Sequence, residues 1–329
     1  MKEIHDKKPG TTKLRHMQAK LIFNPSAGAI RGSPIEIQDV IHEMQAWRLV
    51  PEVFLVEAGC DLPGAVQDAL AQGIRMFVVC GGDGTISAVA RTLASAHSGR
   101  ATLGIIPIGT QNNTALSLGI PADIPAAIAI LRTGRRIKVD VGMAACPSSS
   151  SEGGEINTPF LEACSVGLAS KLYQSADDVQ HGDLARIGDF LTTLVSSPPA
   201  EIHLVLDDKQ EVRSLGHVVV VSNMPYIGLH YKVGTAASSS DGLLDVLFFA
   251  DLTKLDLLAY VFQGVGTARS EDPRIQHYLV RRVDIDTQPA MPIMVDGDPI
   301  GEGRVRIEVR RRALARMVGE SALTELLEA

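Results

Sequence analysis

The stretch MFVVCGGDGT at residues 76–85 decides the fold of this chain. Its first half, residues 76–80, is a continuous apolar run, which is typical of a strand buried on both faces of a parallel sheet. Gly81-Gly82-Asp83-Gly84-Thr85 follows at once, and residues 86–96 have the apolar spacing of a helix. Ligands of open α/β sheets bind beyond the carboxyl ends of the strands, so this junction is the first candidate site.

The residue types of this motif suit a phosphate ligand. Glycines allow the backbone to approach a phosphate closely, and the helix that follows offers free N–H donors. Asp83 could hold a metal ion there, directly or through water. The alternative is a plain glycine turn in which Asp83 or Thr85 caps the helix, but an unbroken run of such residues after an apolar strand favours the ligand site. The chain contains neither the P-loop pattern nor the G-x-G-x-x-G pattern of dinucleotide-binding folds.

Two further polar loops directly follow apolar runs in the same half of the chain, NPSAG at residues 24–28 and PIGTQNN at residues 107–113. The turn-forming and polar residues of the later loop include Gly109, Thr110, Asn112 and Asn113. A capped strand-to-helix turn would account for that loop equally well. Because parallel strands end at one edge of a sheet, the three loops together predict a single ligand cleft.

Strand and helix signals alternate through the first half of the chain, which predicts an open, mostly parallel α/β sheet. The pattern changes near residues 133–136, and the strand signals that follow predict a mainly antiparallel β domain of the sandwich type. A length of 329 residues agrees with two domains. The predicted division is a polar tail over 1–19, an α/β domain over 20–134 that a C-terminal return of about 303–329 completes, and a β-rich domain over 135–302.

The predicted elements follow from apolar periodicity. In the first half, the predicted strands are 20–23, 52–56, 76–80 and 102–106, and the predicted helices are 35–47, 63–71, 86–96, 112–118 and 124–131. In the second half, the predicted strands are 137–143, 160–166, 202–206, 217–221, 243–249 and 278–285. Helical spacing is present at 184–194, 252–265 and 313–327, and the composition of residues 148–154 predicts a loop.

The composition disfavours several functional classes. A net charge of −7, with 31 basic and 38 acidic residues and 4% aromatic residues, disfavours a dedicated nucleic-acid binder. The four cysteines are widely spaced, which predicts reduced thiols of a cytoplasmic protein rather than a disulfide framework or a metal cluster. No apolar run reaches the ~18 residues of a membrane-spanning helix, so any membrane contact is expected to be peripheral.

Two aspartate–glycine motifs of the second half could carry chemistry or simply form turns. Asp241-Gly242-Leu243-Leu244-Asp245 is typical of a turn, although a carboxylate with neighbouring carbonyls could also bind a hard cation. Asp296-Gly297-Asp298 contains the favoured pair of a two-residue hairpin, and the residues alone favour that interpretation. The alternative is a general base held on a rigid hairpin.

A basic run lies near the end of the chain. A solvated strand face accounts for it best, and the alternative is an anionic partner such as a lipid headgroup or a nucleotide phosphate. Its members are Arg304, Arg306, Arg310, Arg311 and Arg312.

Taken in order, these motifs resemble the diacylglycerol kinase catalytic-domain superfamily. That group includes the bacterial diacylglycerol kinases and YegS-like lipid kinases and is related to sphingosine and ceramide kinases. The glycine–aspartate motif alone is shared with NAD kinases and phosphofructokinases, whereas the ordered set is highly specific. The landmarks, from about residue 20 to about residue 318, are 24–28, 81–85, 107–113, 139–142 (VDVG), 160–169 (FLEACSVGLA), 222–226, 241–245 and 296–298.

The resemblance implies an ATP-dependent transfer of a phosphoryl group to a lipid hydroxyl, with Mg²⁺. The implied fold is an N-terminal NAD-kinase-like α/β domain and a C-terminal β-sandwich-like domain, with the nucleotide cleft between them. The implied acceptor is a lipid at a membrane surface, which could be diacylglycerol-like, phosphatidylglycerol or a sphingoid base. We therefore expect a cytoplasmic, peripherally membrane-associated protein with no nucleic-acid partner, and a homodimer is left open.

Carried over residue by residue, the resemblance assigns three groups of site residues. Asp298 is implied as the proton acceptor, and Asp83 as the residue that organises the phosphates and Mg²⁺. Asp241, with the carbonyls of Ser238 and Leu243, matches the family's structural Mg²⁺ site. The implied nucleotide site comprises Asn24, Pro25, Ser26, Gly28, Gly81, Gly82, Asp83, Gly84, Thr85, Gly109, Thr110, Asn112 and Asn113.

The chain departs from the family's usual pattern at several positions. Asp298 replaces the usual Glu, and its side chain is shorter by one methylene. The other departures are Ala27, Val56, Ser87, Ala88, Asn113 and Leu116, which stand where the family usually has Ser, Thr, Asn, Glu, Asp and Arg. The shared glycine–aspartate motif keeps open a kinase for NAD or another small molecule, and the departures keep open a nucleotide- or lipid-binding protein without turnover.

Overall fold

A computed structural model describes residues 15–28, 35–96, 99–147, 154–168, 198–227, 231–233, 238–250, 252, 256 and 274–319. The chain divides into two compact units, of which the first comprises Met1–Ile137 with Ala315–Ala329 and the second comprises Lys138–Leu314. The return to the first unit therefore begins at Ala315, later than the predicted residue 303. The reason is that residues 305–308 pair with a strand of the second unit.

The first unit contains the predicted parallel α/β sheet. Its strands are β1 (Met17–Phe23), β2 (Leu49–Leu55), β3 (Met76–Gly81) and β4 (Thr102–Pro107). Its helices are α1 (Ile37–Ala46), α2 (Leu62–Ala71), α3 (Asp83–Ser95), α4 (Asn113–Ser117) and α5 (Ile124–Thr133). The strand order is β4-β3-β1-β2, and all of these pairs are parallel.

Local chemistry sets the bounds of these elements. Every residue of β3 and β4 is buried, as the continuous apolar runs predict. Asp61 caps α2 by accepting a hydrogen bond from the Gly64 N–H at 2.9 Å. Asp123 caps α5 in the same way through the Ala126 N–H. Gly73 has a φ of +91° just beyond α2, a conformation that glycine adopts without strain.

The second unit is built mainly of antiparallel strand pairs. Its strands are β5 (Arg135–Pro147), β6 (Glu155–Phe160), β7 (Ala163–Gly167), β8 (Ala200–Leu206), β9 (Gln210–Ser222), β10 (Tyr226–Ile227), β11 (Tyr231–Lys232), β12 (Leu244–Ala250), β13 (Ile275–Val280), β14 (Arg282–Gln288), β15 (Pro292–Val295), β16 (Asp298–Glu302) and β17 (Val305–Val318). The main order is β16-β15-β7-β9-β8-β14-β17, and β12 pairs with both β9 and β13. The first and last of these strands along the chain, β5 and β17, each include residues assigned to the first unit.

Two predicted strands are each divided in two. The strand predicted over 160–166 is interrupted between β6 and β7, where the Asp296 carboxylate binds the N–H groups of Leu161 and Glu162. The strand predicted over 278–285 is interrupted between β13 and β14, where Asp207 Oδ1 binds the N–H groups of Arg281 and Arg282. In both places, a carboxylate from elsewhere in the chain holds the turn.

The helical spacing predicted over 313–327 is wrong for residues 313–318, which complete β17. There Arg316 lies opposite Leu103 of β4 in a parallel pair, so the end of β17 adds a strand to the sheet of the first unit. The predicted helices 184–194 and 252–265 and the predicted loop 148–154 lie outside the described residues, apart from Leu252, Asp256 and Gly154. Among the helices within the described ranges, none has the length and apolarity that a membrane span requires.

Candidate functional site

The structure brings together three loops of the first unit, which we call the loop cluster: residues 24–28, 81–85 and 107–113. They follow β1, β3 and β4, which are neighbours in the sheet and end at the same edge. Backbone hydrogen bonds join them, because the Asn24 N–H donates to the Cys80 carbonyl at 2.9 Å. The Ile108 N–H donates to the Gly81 carbonyl at 3.2 Å. The three loops predicted from sequence therefore form one continuous surface.

Asn24 ties the first loop to the second. Its Nδ2 donates to Thr85 Oγ1 at 2.9 Å, and its Oδ1 accepts from the Ser26 N–H at 3.0 Å. Pro25 and Ser26 are exposed beside this contact, whereas Thr85 is buried. Asn24 thus shapes the loop, and the exposed residues after it are the ones that a ligand could reach.

Glycines allow the three backbones to pack directly on one another. Gly28 has a φ of +72°, and a Cβ at this position would collide with the Ile108 carbonyl oxygen. A Cβ at Gly109 would lie 2.5 Å from the Gly82 Cα. The close approach therefore depends on the absence of side chains at these positions.

Gly28→Ala is expected to lower the free energy of unfolding by about 2–4 kcal/mol, because it combines an unfavourable φ with a steric clash. Gly84→Ala is the matched control, since a Cβ at Gly84 would meet no atom within 4 Å and its φ is not in the left-handed region. Urea unfolding of both variants measures the difference. Equal midpoints for the two variants would contradict the packing described for Gly28.

Asp83 caps a neighbouring helix rather than its own. Its Oδ2 accepts from the Asn113 N–H at 3.0 Å, and its Oδ1 accepts from the Thr114 N–H at 2.9 Å. These two N–H groups belong to the first two residues of α4, so Asp83 joins the second loop of the cluster to the third. The N-cap of α3 is Gly82, which has no side chain to bind the first-turn N–H groups. The alternative in which Asp83 or Thr85 caps α3 is therefore wrong.

The third loop presents a buried acceptor. Asn112 has a φ of +56° and donates from Nδ2 to the Gly109 carbonyl at 2.8 Å. Its Oδ1 is buried and has no hydrogen-bond partner within the described part of the chain. Thr110 is exposed beside it, and Asn113 is buried. This loop therefore presents the Thr110 hydroxyl at the edge of the sheet, with the unpartnered Asn112 carboxamide oxygen buried behind it.

The Asp241 motif belongs to the second unit and forms a turn built around Asp140. The buried Asp140 carboxylate accepts from the Gly242 N–H at 2.7 Å and from the Arg312 N–H at 2.6 Å. Asp241 is exposed, and its Oδ1 accepts from the Leu243 N–H at 2.9 Å. Sequence reasoning identified Asp140 only as part of the VDVG landmark and not as the anchor of this turn.

The charge at this turn favours a cation. Partial burial raises the pKa of Asp241, and the neighbouring Asp245 and Asp140 carboxylates raise it further, against the lowering effect of the Leu243 hydrogen bond. Asp245 itself pairs with His277 at 2.7 Å. A divalent ion at Asp241 would relieve this repulsion, so the residues present fit the implied metal. Within the described residues, no group of three or more His, Cys, Asp or Glu side chains is arranged as a metal site, so carbonyls would have to complete this one.

The Asp296-Gly297-Asp298 motif forms the two-residue hairpin that its sequence favours. Val295 pairs with Asp298 across the turn, and the φ values of Asp296 and Gly297 are +47° and +90°. The Asp296 carboxylate accepts three N–H groups of the β6–β7 turn, those of Leu161, Glu162 and Ala163, at 2.8–3.1 Å. Asp298 is exposed at the start of β16. The two aspartates therefore differ: Asp296 holds the β6–β7 turn, whereas Asp298 is an exposed carboxylate.

The arginine run lies on β17, where its members differ in exposure. Arg306 Nε donates to Asp284 Oδ1 at 2.9 Å, and this carboxylate raises the pKa of Arg306. Arg304, Arg311 and Arg312 are exposed. Most of the run therefore forms a solvated strand face, and Arg306 is engaged within the protein.

The cysteines are free thiols. Cys80, Cys146 and Cys164 are buried and Cys60 is half-buried. Burial raises the pKa of the Cys80 thiol to about 12, so this thiol stays protonated and unreactive at neutral pH. The thiols therefore have no part in the candidate site.

The parallel α/β unit and the antiparallel β unit together define the class of NAD-kinase-like folds. The chain aligns with a crystal structure of an Archaeoglobus fulgidus NAD kinase at a TM-score of 0.54, with 13% identity, over 95% of this chain and 98% of that one. A putative diacylglycerol kinase from Bacillus anthracis aligns at a TM-score of 0.70, with 21% identity, over 93% of this chain and 98% of that one. The predicted fold class is confirmed.

Two family models match the chain in succession. The diacylglycerol kinase catalytic domain matches residues 18–144, and the YegS C-terminal NAD kinase beta sandwich-like domain matches residues 162–318. A probable YegS-like lipid kinase of Pseudomonas aeruginosa is 28% identical over 257 residues, which are 76% of this chain and 78% of the relative. The chain belongs to the diacylglycerol kinase catalytic-domain superfamily, as its motifs predicted.

Proposed function

We propose that the protein is an ATP-dependent lipid kinase that transfers the γ-phosphoryl group to a lipid hydroxyl with the help of Mg²⁺. The observation that carries the proposal is the loop cluster, in which three loops of the family's catalytic domain join at the carboxyl edge of the sheet. Phosphoryl transfer depends mainly on positioning and on charge neutralisation. The features of the loop cluster serve those two needs.

The nucleotide phosphates are assigned to the start of α3. The first-turn N–H groups of this helix have no side-chain cap, and the helix dipole favours an anion there. Gly84 is exposed and a Cβ there would meet no atom within 4 Å, so a phosphate could approach its backbone closely. The exposed residues Ser26 and Thr110 supply hydroxyl donors. Asn112 is assigned to the nucleotide site as the residue that shapes the third loop, through its hydrogen bond to the Gly109 carbonyl.

We assign to Asp298 the role of the general base that accepts the proton of the lipid hydroxyl. It is the exposed carboxylate of its hairpin, whereas Asp296 is fully used in holding the β6–β7 turn. A general base needs to come within roughly 2.6–3.2 Å of the hydroxyl that it deprotonates. A rigid two-residue hairpin can hold the short Asp298 side chain in a fixed position, which a general base requires.

Asp241, with the carbonyls of Ser238 and Leu243, is assigned the structural Mg²⁺. When bound, the ion supplies positive charge that offsets the carboxylates at this turn. We expect Mg²⁺ to raise the melting temperature of the wild type but not that of Asp241→Asn. Because the pKa of Asp241 is raised, Asp241→Asn is expected to be at least as stable as the wild type without Mg²⁺.

Asp286→Asn is the control for this Mg²⁺ effect, since Asp286 is an exposed carboxylate on β14. Melting curves recorded with EDTA and with Mg²⁺ make the comparison. An equal rise on Mg²⁺ addition in wild type and Asp241→Asn would contradict the assignment.

The lipid surface is assigned to the exposed arginines of β17. We expect a triple change of Arg304, Arg311 and Arg312 to Gln to weaken binding to phosphatidylserine vesicles by at least tenfold, at ~1 kcal/mol per arginine. Arg213→Gln is the control, because Arg213 is an exposed arginine of β9. Vesicle co-sedimentation measures the affinity, and unchanged binding by the triple variant would rule out this surface.

The direct test of the function is transfer of label from γ-labelled ATP, with Mg²⁺, to a total lipid extract in mixed micelles. Asp298→Asn is the control variant, because Asp83→Asn would also disturb α4. Labelled lipid that disappears in Asp298→Asn would support the proposal, and its chromatographic mobility would indicate the acceptor. Labelling of NAD but of no lipid would instead support a small-molecule kinase, which the likeness to an NAD kinase fold favours as the second candidate.

A further inference from the structure

The helix α4 carries the third loop of the cluster, yet it spans only Asn113–Ser117. A helix of five residues is not stable by itself in water, because nucleation costs more than so few hydrogen bonds return. Its position must therefore be set by contacts from outside the helix. The structure shows such a contact at each end.

Asp83 provides the contact at the N-terminal end, through the N–H groups of Asn113 and Thr114. At the opposite end, Nη1 of Arg316 donates to the carbonyl of Leu118, the C-cap residue of α4, at 2.7 Å. The charges match the helix dipole at both ends, with the carboxylate at the N-terminus and the guanidinium at the C-terminus.

Arg316 is an unusual residue for its location. It is 2% exposed, and its Nε has no hydrogen-bond partner within the described residues. Burial lowers the pKa of Arg316 to about 10, so the guanidinium keeps its charge at neutral pH. No carboxylate in the described part of the chain lies within ion-pair distance of it. Burying an unpaired charge is costly, so a buried arginine at this position indicates a specific structural role.

The backbone of Arg316 is part of the sheet that carries the loop cluster. Arg316 lies opposite Leu103 of β4, and β4 is the strand that leads into the third loop. The C-terminal segment thus contacts both the strand before the loop and the helix after it. The two ends of the loop are fixed with respect to each other by one residue.

We propose that Arg316 is a positioning residue, which holds α4 so that the third loop keeps the geometry that binds the nucleotide. This proposal rests on the proposed function in one respect, which is that the ligand of the third loop is a nucleotide. It assigns to the last strand of the chain a direct effect on nucleotide affinity, although Arg316 itself would not touch the nucleotide.

The test compares Arg316→Met and Arg316→Lys with the wild type. Methionine keeps an apolar stem and removes the charge together with the donor, whereas lysine keeps a charged donor. We expect Arg316→Met to raise the Kd for ATP on the order of tenfold, the effect of losing one charged hydrogen bond. We expect Arg316→Lys to recover most of that affinity.

Amide hydrogen exchange in nucleotide-free protein supplies a second readout. The amides of Leu116, Leu118 and Ile120 bond within and just after α4, to the carbonyls of Asn112, Thr114 and Ala115. Their exchange in Arg316→Met is expected to be faster on the order of tenfold, with little change in β1. This readout needs no ligand, so it decides the role of Arg316 even if ATP does not bind.

Arg132→Met is the matched control. Arg132 lies on α5, donates to the Arg15 carbonyl at 2.9 Å and also has a buried Nε without a partner. The Arg132→Met change should alter neither the affinity for ATP nor the rate of amide exchange in α4. Wild-type protein that binds no ATP would contradict the proposed function. Unchanged exchange at α4 in folded Arg316→Met, or failure of Arg316→Lys to restore slow exchange, would overturn the role of Arg316.

Discussion

Asp298→Asn is expected to lower the rate of phosphoryl transfer by a factor of about 10²–10⁴ while leaving the unfolding midpoint unchanged. The amide cannot accept the hydroxyl proton. Asparagine keeps the size and one acceptor oxygen of Asp298, an exposed residue at the start of β16, so the fold should be retained. Label transfer to lipid measures the first effect, and urea unfolding measures the second. Asp298→Glu restores the residue that the family usually has and is expected to keep or increase activity.

Asp296→Asn is the matched change two residues away, and it should affect mainly the stability and not the rate of transfer. Its carboxylate serves three N–H groups of the β6–β7 turn, and an unsatisfied buried donor costs about 1–3 kcal/mol. This variant should therefore lose stability first and activity only as a consequence. An Asp298→Asn protein with wild-type turnover would exclude Asp298 as the base.

Asp83→Ala is expected to lower the free energy of unfolding by about 2–4 kcal/mol and to abolish measurable nucleotide affinity together with it. The change leaves the N–H groups of Asn113 and Thr114 without their acceptors and releases the N-terminus of α4. Asp83→Asn should be nearly as damaging, because its NH₂ group would face a backbone donor. Urea unfolding and ATP titration measure the two effects.

Asp123→Ala separates a general loss of capping from a loss at this site. Asp123 caps α5 through the Ala126 N–H at 2.9 Å, so its removal should cost about 1 kcal/mol and leave ATP affinity unchanged. If Asp83→Asn kept wild-type stability while losing ATP, its carboxylate would act on the ligand and not on α4.

The elements of the first unit could be predicted because their signals are local. The apolar run before Gly81 predicts β3, and the similar run before Pro107 predicts β4, since strands covered on both faces contain few polar residues. That such strands end at one edge predicts the loop cluster. The order of the family motifs along the chain predicted the two family domains that match residues 18–144 and 162–318.

The roles of individual aspartates could not be predicted, because their partners are distant in sequence. Asp83 binds N–H groups 30 and 31 residues away, and Asp296 binds N–H groups 133–135 residues away. Local reasoning treated Asp83 as a ligand residue or as a cap of its own helix. A single sequence holds no signal for such long-range acceptors.

The C-terminal segment shows tertiary pairing prevailing over local propensity. The residues around Leu314 and Ala315 have helical spacing and favourable helix propensity, yet they continue β17. The backbone pair of Arg316 with Leu103 accounts for this, because it supplies hydrogen bonds to the free edge of β4. The later start of the return at Ala315 has the same origin in the pairing of β14 with β17.

The most direct measurement is the amount of ADP formed compared with the amount of lipid phosphate formed in one mixed-micelle reaction. The account predicts equal amounts of the two products, and negligible amounts of both with Asp298→Asn. ADP without lipid phosphate, or phosphate recovered only in a water-soluble acceptor, would contradict the assignment of a lipid kinase.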